Sequence, residues 1–481
     1  MLVLVNTNTM QPPIAPVGLE YVAAAAHEAG IAVRVIDLGL ADDPAATLET
    51  GLAGCDPVLV GLSFRNADDC FWPSAQWFVA DLRDIVDRVR RYCDAPICVG
   101  GVAFSIFRRP VLDRVGADFG IVGDGEQALV RLYRVITGQG PLEGVPGLIW
   151  RRKDHWHEND PAWPLSPKVG THRDLVDNAT YFARGGQIGF ETKRGCDRGC
   201  VYCADPLAKG RTLRLRDPDE VADEVESLLR QGVDVLHTCD AEFNIPYTHA
   251  VAICEAFERR GLGDRLRWYA YLAVVPFDAA LAAAMRRAGC VGINFTSDSA
   301  STTMLRAYRQ PHGQADLARA VRLCRENGIR VMLDLLLGGP GETPQTVAES
   351  IDFFKRIDPD CVGAGCGLRL YPGTAVTRIL ADRGPLETLP GLRRRYDGPV
   401  DLVQPTFYIS PALGEDAAGL VRDRIGADER FFAPMSDTGP TVVTDPLSED
   451  HNYNANTELV EAITTGARGA YWDILRRLRQ R

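Results

Sequence analysis

The sequence contains no run of about eighteen or more apolar residues, so an ordinary membrane-spanning helix is not expected. Its opening stretch, MLVLVNTNTM, lacks the basic region and small-residue cleavage site of a secretory leader. Basic residues are in deficit: 53 Lys and Arg stand against 64 Asp and Glu, a formal net charge of -11. Such a field repels phosphate backbones, and no basic stripe offsets it, so no nucleic-acid partner is expected. No membrane partner is expected either. Internal repeats and low-complexity tracts are absent. The 13 cysteines are odd in number and lack the even spacing of a secreted disulfide framework. In a cytosolic chain, clustered cysteines point instead to metal or redox chemistry. What is present is the balance of a globular protein, 46% hydrophobic and 24% charged, which excludes extended disorder and a fibrous fold. At ~150 residues per domain, the 481 residues suggest about three domains in a cytoplasmic protein.

Residues 1–137 alternate between apolar runs and helical patterns. Leu2–Val5, Ala32–Ile36, Val58–Ser63, Ile97–Gly100 and Phe119–Val122 read as strands, too uniformly apolar for a half-wet sheet. Helical patterns fall at Val17–Ala29, Ala45–Leu52, Ser74–Tyr92, Ile106–Val115 and Glu126–Thr137. Five such units predict an α/β fold, a doubly wound, Rossmann-like parallel sheet that binds ligands at the carboxyl ends of its strands. Those ends carry Asn6, Thr7 and Asn8; Ser63, Arg65 and Asn66; Gly100 and Gly101; and Gly123, Gly125 and Glu126. Prolines 141, 146, 161, 164 and 167 then break the pattern, and 138–186 reads as a connecting segment with a small hairpin from Gly147. A second β/α series occupies 187–383, with strands at Ile188–Lys193, Val233–Cys239, Arg267–Leu272, Val291–Thr296, Ile329–Leu336 and Cys361–Leu370. Its helices are expected near Asp217–Arg230, His249–Arg260, Asp278–Ala288, Ala315–Asn327 and Thr343–Arg356. Six such units suit a partial β/α barrel, whose chemistry sits at the carboxyl ends of its strands. Residues 384–481 form a small C-terminal domain or cap.

The narrowest pattern is Cys196-Asp-Arg-Gly-Cys200-Val-Tyr-Cys203, three thiols in one loop after the first strand of the second series. Three thiolates hold three irons of a [4Fe–4S] cluster and leave the fourth without a protein ligand. A structural zinc would need a fourth Cys or His at motif spacing, which His172 and His237 do not provide.

Glu191–Cys203, ETKRGCDRGCVYC, resembles the cluster motif of the radical S-adenosylmethionine (SAM) superfamily. In that superfamily SAM binds the open iron and is cleaved to a 5′-deoxyadenosyl radical. The GGPGET turn at Gly338–Thr343 resembles the SAM-facing turn after the fifth barrel strand, and Gly367–Thr374 the loop after the sixth. Asn294–Ser299, NFTSDS, stands where relatives carry G-x-E-S, with Thr296 for the Gly and Asp298 for the Glu. The resemblance implies SAM contacts at Tyr202, Asp240, Ser297, Asp298, Arg309, Gly338, Gly339, Pro340 and Glu342, and offers Arg369 and Tyr371 as catalytic candidates. For Asp240 the competing reading is a capping turn, and for Arg309 a surface charge.

A doubly wound domain ahead of this motif is similar to the cobalamin-binding domain of cobalamin-dependent radical SAM enzymes. Pro16–Gly30, Val99–Gly101 and Gly123–Glu126 carry that likeness. It makes the strand-end residues named above a cobalamin site. The cobalt-ligating D-x-H-x-x-G motif is absent, so Arg65 is a candidate for the lower face of the corrin. Its alternatives are a solvated loop arginine or a salt bridge to Asp68 or Asp69. Methylthiotransferases of the superfamily hold a second cluster in their first domain, but Cys98 in a strand and Cys93 at a helix end do not suit one with Cys55 and Cys70. The remaining cysteines read as small core residues, with Cys239 and Cys366 close enough to strand ends to be candidate thiols. His237 and His249 fall near the same mouth, each a hydrogen-bonded structural residue or a proton shuttle, and the aromatics at 452–454 and 469–472 are core residues or the floor of a substrate pocket.

The implied activity is cobalamin-dependent C-methylation of a small-molecule or natural-product intermediate, using SAM, methylcobalamin and the cluster. A flavodoxin or ferredoxin would donate electrons. The alternatives are a non-methylating cyclase or rearrangement enzyme, a non-radical methylase of an sp² carbon, and a cobalamin- or SAM-binding sensor.

Overall fold

The structure, a computed structural model, describes residues 1–167, 169, 173–435 and 452–480. His172 lies outside the described residues. The first sheet contains β1 (Leu2–Asn6), β2 (Val33–Asp37), β3 (Leu59–Ser63), β4 (Ile97–Gly100), β5 (Phe119–Ile121), β6 (Leu148–Arg152) and β7 (His155–Glu158). Its order is β2-β1-β3-β4-β5-β6-β7, and the first five strands are parallel. All five residues of β1 are buried, as an aliphatic strand covered on both faces requires. The register aligns Asn6 with Ser63 and Ser63 with Gly100, which makes one continuous carboxyl edge. Chain order reverses between β1 and β3, the switch point where such sheets bind ligands.

Two helices depart from expectation. The segment predicted from Ser74 becomes helical only at Val79, because Ser74 and the Gln76 N–H turn inward to Asp69. The helix predicted over Ile106–Val115 breaks at Arg108 (φ +53°) into Val102–Phe107 and Arg109–Val115. Pro110 has no N–H and cannot sit inside a helix, so a new first turn begins there. The hairpin in 138–186 also does more than connect, since β6 pairs antiparallel with β5 and extends the first sheet.

The second sheet begins with β8 (Ile188–Phe190), after which a two-residue β9 (Lys193–Arg194) and its partner β10 (Arg214–Leu215) bracket the cysteine loop. It contains β11 (Val235–Thr238), β12 (Arg267–Leu272), β13 (Cys290–Asp298), β14 (Arg330–Leu337) and β15 (Cys361–Cys366). The order β8-β11-β12-β13-β14-β15 is the expected partial barrel. Asp217, Asp278 and Thr343 cap the first turns of three of its helices. Beyond it, β16 (Leu368–Arg369), β17 (Leu392–Arg394) and β18 (Thr406–Tyr408) form a small sheet, and β19 (Phe431–Phe432) adds a seventh, parallel strand beside β15. Val235, Tyr269, Met332 and Cys361 are closed over by Phe432, Leu459, Ile463 and Trp472, so the C-terminal region plugs one end of the barrel.

A buried ionic network welds the two sheets together. Arg173 bonds both Glu20 and Glu224, and Glu224 also receives Tyr21 and Arg216, all with side chains sealed from solvent. Next to it, Arg194 pairs with Glu191 (2.8 Å) and Glu126 (2.6 Å), and Arg214 pairs with Asp124. Glu20, Tyr21, Asp124 and Glu126 belong to the first sheet's helices and turns; Arg173 lies in the connecting segment, and Arg194, Arg214 and Arg216 flank the cysteine loop. Trp163 lies between Gly123 and Gly210, where a Cβ on either glycine would meet its ring at 2.7 or 3.1 Å.

Candidate active site at the barrel mouth

The cysteine loop starts at Gly195, whose φ of +85° and a virtual Cβ only 2.1 Å from the Thr212 carbonyl exclude any side chain. The Cys196 N–H donates to Gly210 O (3.1 Å), and Val201 ties the loop to Tyr308 and Val376. All three thiols are free. Burial raises each of them, Cys200 to about 11, so binding a metal must expel protons. No group of three His, Cys, Asp or Glu among the described residues closes around a single ion. A cube of iron and sulfide spreads its ligands farther apart, which suits three thiols held by one loop. Two further observations fit a cluster. Gln310 aims its amide nitrogen at Cys200 Sγ, 3.2 Å away. Glu242 (φ +64°) accepts from Thr296 Oγ1 at 2.7 Å, keeps Oε2 buried without a partner, and lines one small cavity with Arg198, Cys200 and Gln310. That oxygen is a donor available to a fourth iron.

The predicted SAM residues divide into two groups. A register shift in β13 turns Asp298 to φ +58°, where it receives Tyr202 O–H and Gln310 N–H; burial lifts its carboxyl to about 7. Ser297 instead donates to Asp334 O (2.7 Å). In the GGPGET turn, Gly338 adopts φ +91°, and a Cβ on Gly339 would lie 2.2 Å from Tyr308 Oη. Pro340 continues this turn to Glu342, which receives Thr346 O–H, retains one buried oxygen without a partner, and is raised by burial to about 7. Asp240 is engaged within the fold: it accepts from Thr192 N (2.8 Å), Thr192 Oγ1 (2.6 Å) and Lys193 N (3.2 Å). This ties β11 to the start of the cysteine loop rather than capping a helix. Arg309 is exposed in a left-handed turn that ends a helix.

On the first sheet, Asn6 donates to Asp37 and Tyr181, Thr7 to Ser63 O, and Asn8 accepts from Met10 N–H. Gly101 (φ +108°) lies so close to Phe64 that a Cβ would stand 2.5 Å from its carbonyl. Gly100 stays open, Gly125 approaches Val22, and Asn66 keeps a buried carbonyl oxygen without a partner. Such a bare backbone edge with an orphan acceptor fits a large, amide-rimmed cofactor such as cobalamin. Glu126 is not available to it, because Arg194 holds its carboxylate. Nor does Arg65 pair with Asp68 or Asp69: Asp68 is taken by Arg369 (2.8 Å), and Asp69 by Ser74 and Asn452. Arg65 is exposed instead, and its charge acts on Cys239, Tyr271 and Tyr471.

Arg369 and Tyr371, the catalytic candidates of the sixth-strand loop, belong to this domain contact. Arg369 is buried on Asp68, Leu402 O and Leu370 O, and Tyr371 Oη meets Cys70 Sγ at 3.1 Å. The lumen also holds Tyr271 and Asp334, which the sequence reading missed, beside His237 and the C-terminal aromatics that it named. Tyr271 is 40% exposed although β12 is a central strand, so the barrel is open inside. Asn294 hydrogen-bonds Tyr271 and Asp334, and burial lifts Asp334 to about 7. His237 lies tilted against Tyr271 with ring centres 4.9 Å apart; burial holds it neutral, near 4. Tyr453 and Tyr471 contact each other at the floor (5.8 Å). His249 bonds Thr192 O, a structural role. Cys239 is exposed at the mouth, while Cys366 is buried.

A cobalamin-type sheet facing a three-cysteine cluster loop defines a class, and sequence comparison agrees. The B12 binding domain model matches residues 3–133, and the Radical SAM superfamily model matches 190–354. The chain belongs to the cobalamin-dependent radical SAM methyltransferases, enzymes that work with a [4Fe–4S] cluster, SAM and cobalamin. It is similar over its whole length to the radical SAM methyltransferase TsrM from Kitasatospora setae, solved with tryptophan substrate and a SAM analog bound. Identity there is 31%, coverage 99% of that chain, and the TM-score 0.91. The same enzyme with cobalamin and [4Fe–4S] cluster bound matches at 30% identity over 97% of its length, with a TM-score of 0.89. Tryptophan 2-C-methyltransferase of Streptomyces laurentii is 28% identical, over 98% of this chain and 94% of that one.

Proposed function

We propose that this enzyme methylates an sp² carbon of tryptophan, or of a close indole-bearing relative, by polar rather than radical chemistry. The observation that carries the reading is the lumen: one partly exposed tyrosine, an Asn294–Asp334 pair and a tyrosine floor, in a chain that matches a tryptophan-bound methyltransferase end to end. An indole offers a flat apolar face and one N–H donor, which an aromatic wall and a buried acceptor recognise together. When bound, cobalamin supplies a methyl carrier and the cluster an electron for priming it. The residues of the chain orient and enclose. Tyr271 and the Tyr453–Tyr471 floor would hold the ring, Asn294 and Asp334 would accept a polar hydrogen, and neutral His237 would pack beside them. Arg65 would present a fixed positive charge toward the corrin face, since a guanidinium stays protonated at working pH. Glu242 supports the polar route, because its unpartnered Oε2 would hold the fourth iron and so compete with chelation by SAM.

The reading takes 1–137 as the cobalamin domain, 138–186 as its connection, 187–383 as the SAM barrel and 384–481 as the C-terminal domain or cap. It also includes a cytoplasmic location and a flavodoxin- or ferredoxin-class donor, needed to prime rather than to sustain a redox-neutral transfer. The test is to incubate the reconstituted enzyme with SAM, a reductant and tryptophan, and to read products by mass spectrometry. A product carrying one added methyl, with no matching 5′-deoxyadenosine, is expected. No methylated tryptophan, or 5′-deoxyadenosine formed in step with product, would overturn it.

A further inference from the structure

Gln310 follows the helix Thr302–Tyr308, where Arg309 turns left-handed (φ +62°) and sends the chain back over the cysteine loop. Its Nε2 lies 2.6 Å from Asp298 Oδ2, 3.2 Å from Cys200 Sγ and 3.3 Å from Tyr202 Oη. The neighbours fix which way the amide faces. Tyr202 donates its own O–H to the same Oδ2, so that oxygen is an acceptor and must meet the amide nitrogen. One N–H therefore serves Asp298, and the second is directed at Cys200 and Tyr202. Of these two, a metal-bound thiolate is the anionic and stronger acceptor.

We propose that Gln310 is a positioning residue that tunes the cluster: its N–H···S hydrogen bond to Cys200 raises the cluster's reduction potential. The added electron of the reduced state increases the charge on the ligand sulfurs, so a donor fixed beside one of them stabilises that state preferentially. Asp298 and Tyr202 keep the amide from turning away. A higher potential makes one-electron cleavage of a sulfonium harder, which agrees with polar use of the site. The inference rests only on the cluster at Cys196, Cys200 and Cys203, and not on the identity of the substrate.

The experiment is a redox titration followed by electron paramagnetic resonance on the anaerobically reconstituted full chain. Gln310→Met keeps the volume and removes the donor. It should retain its iron and shift the midpoint negative by about 59 mV, a tenfold change in the one-electron equilibrium. Gln310→Glu keeps the shape and puts an acceptor beside the sulfur, so its shift should be at least as large and of the same sign. If the Met variant does not hold iron, the Glu variant decides. An unchanged midpoint in an iron-replete variant would overturn the proposal. Loss of iron in both would too, since Gln310 would then only hold the loop.

Discussion

Asp334 and Glu342 are carboxyls that burial lifts to about 7, from ordinary values near 4. Between those limits the folded chain binds protons that the unfolded chain has released. Stability therefore falls as pH rises through that window and is lowest above it. The cofactor-free enzyme should melt at a higher temperature at pH 6 than at pH 8. Asp334→Asn, which keeps the shape and cannot ionise, should raise the melting temperature at pH 8 and flatten the slope. A melting temperature that climbs from pH 6 to pH 8, or one indifferent to the Asn substitution, would remove Asp334 from this role. The same residue shows where sequence stops being informative. Asp334 sits in the apolar strand run VMLDLLL, and its meaning depends on Asn294 and Tyr271, which are far away in sequence. Cys196, Cys200 and Cys203 are legible because one loop carries the whole pattern.

Elements were readable wherever local chemistry decides them. Buried parallel strands are plain apolar runs, and Asp217, Asp278 and Thr343 mark helix starts at their caps. Long-range pairing was not readable. Nothing in the residues Phe431–Phe432 says that they align with Val362 and Gly363, and nothing in the 148–158 hairpin says that it joins β5. The task of the C-terminal helix Tyr471–Arg479 was not readable either. Trp472 is 3% exposed and packs edge-on against Tyr269 at 6.0 Å, closing the barrel from below. Trp472→Ala should cost about 3–5 kcal/mol, as removal of a buried aromatic does, and lower the urea midpoint accordingly. A midpoint within experimental error of the parent would mean that the plug carries no load.

At the scale of the molecule, two cofactor surfaces are built on separate sheets and fixed to each other by arginines. Arg194 begins the cluster loop and grips Glu126 of the cobalamin domain; Arg369 ends the barrel and grips Asp68. Glu126 and Arg369, read from sequence as site residues, are the joints of this frame. A polar residue at a strand end serves cofactor or partner domain equally well, and only the assembled structure tells them apart. The frame would hold cluster and cobalamin over one lumen, which is the central claim. The measurement that tests it most directly is the iron-to-cobalt ratio of the anaerobically reconstituted chain, with the Cys196, Cys200 and Cys203 triple Ala variant alongside. The parent should carry about four irons and about one cobalt per chain, and the variant should lose the iron while keeping the cobalt. Iron retained by the variant, or no cobalt in the parent, would contradict the account.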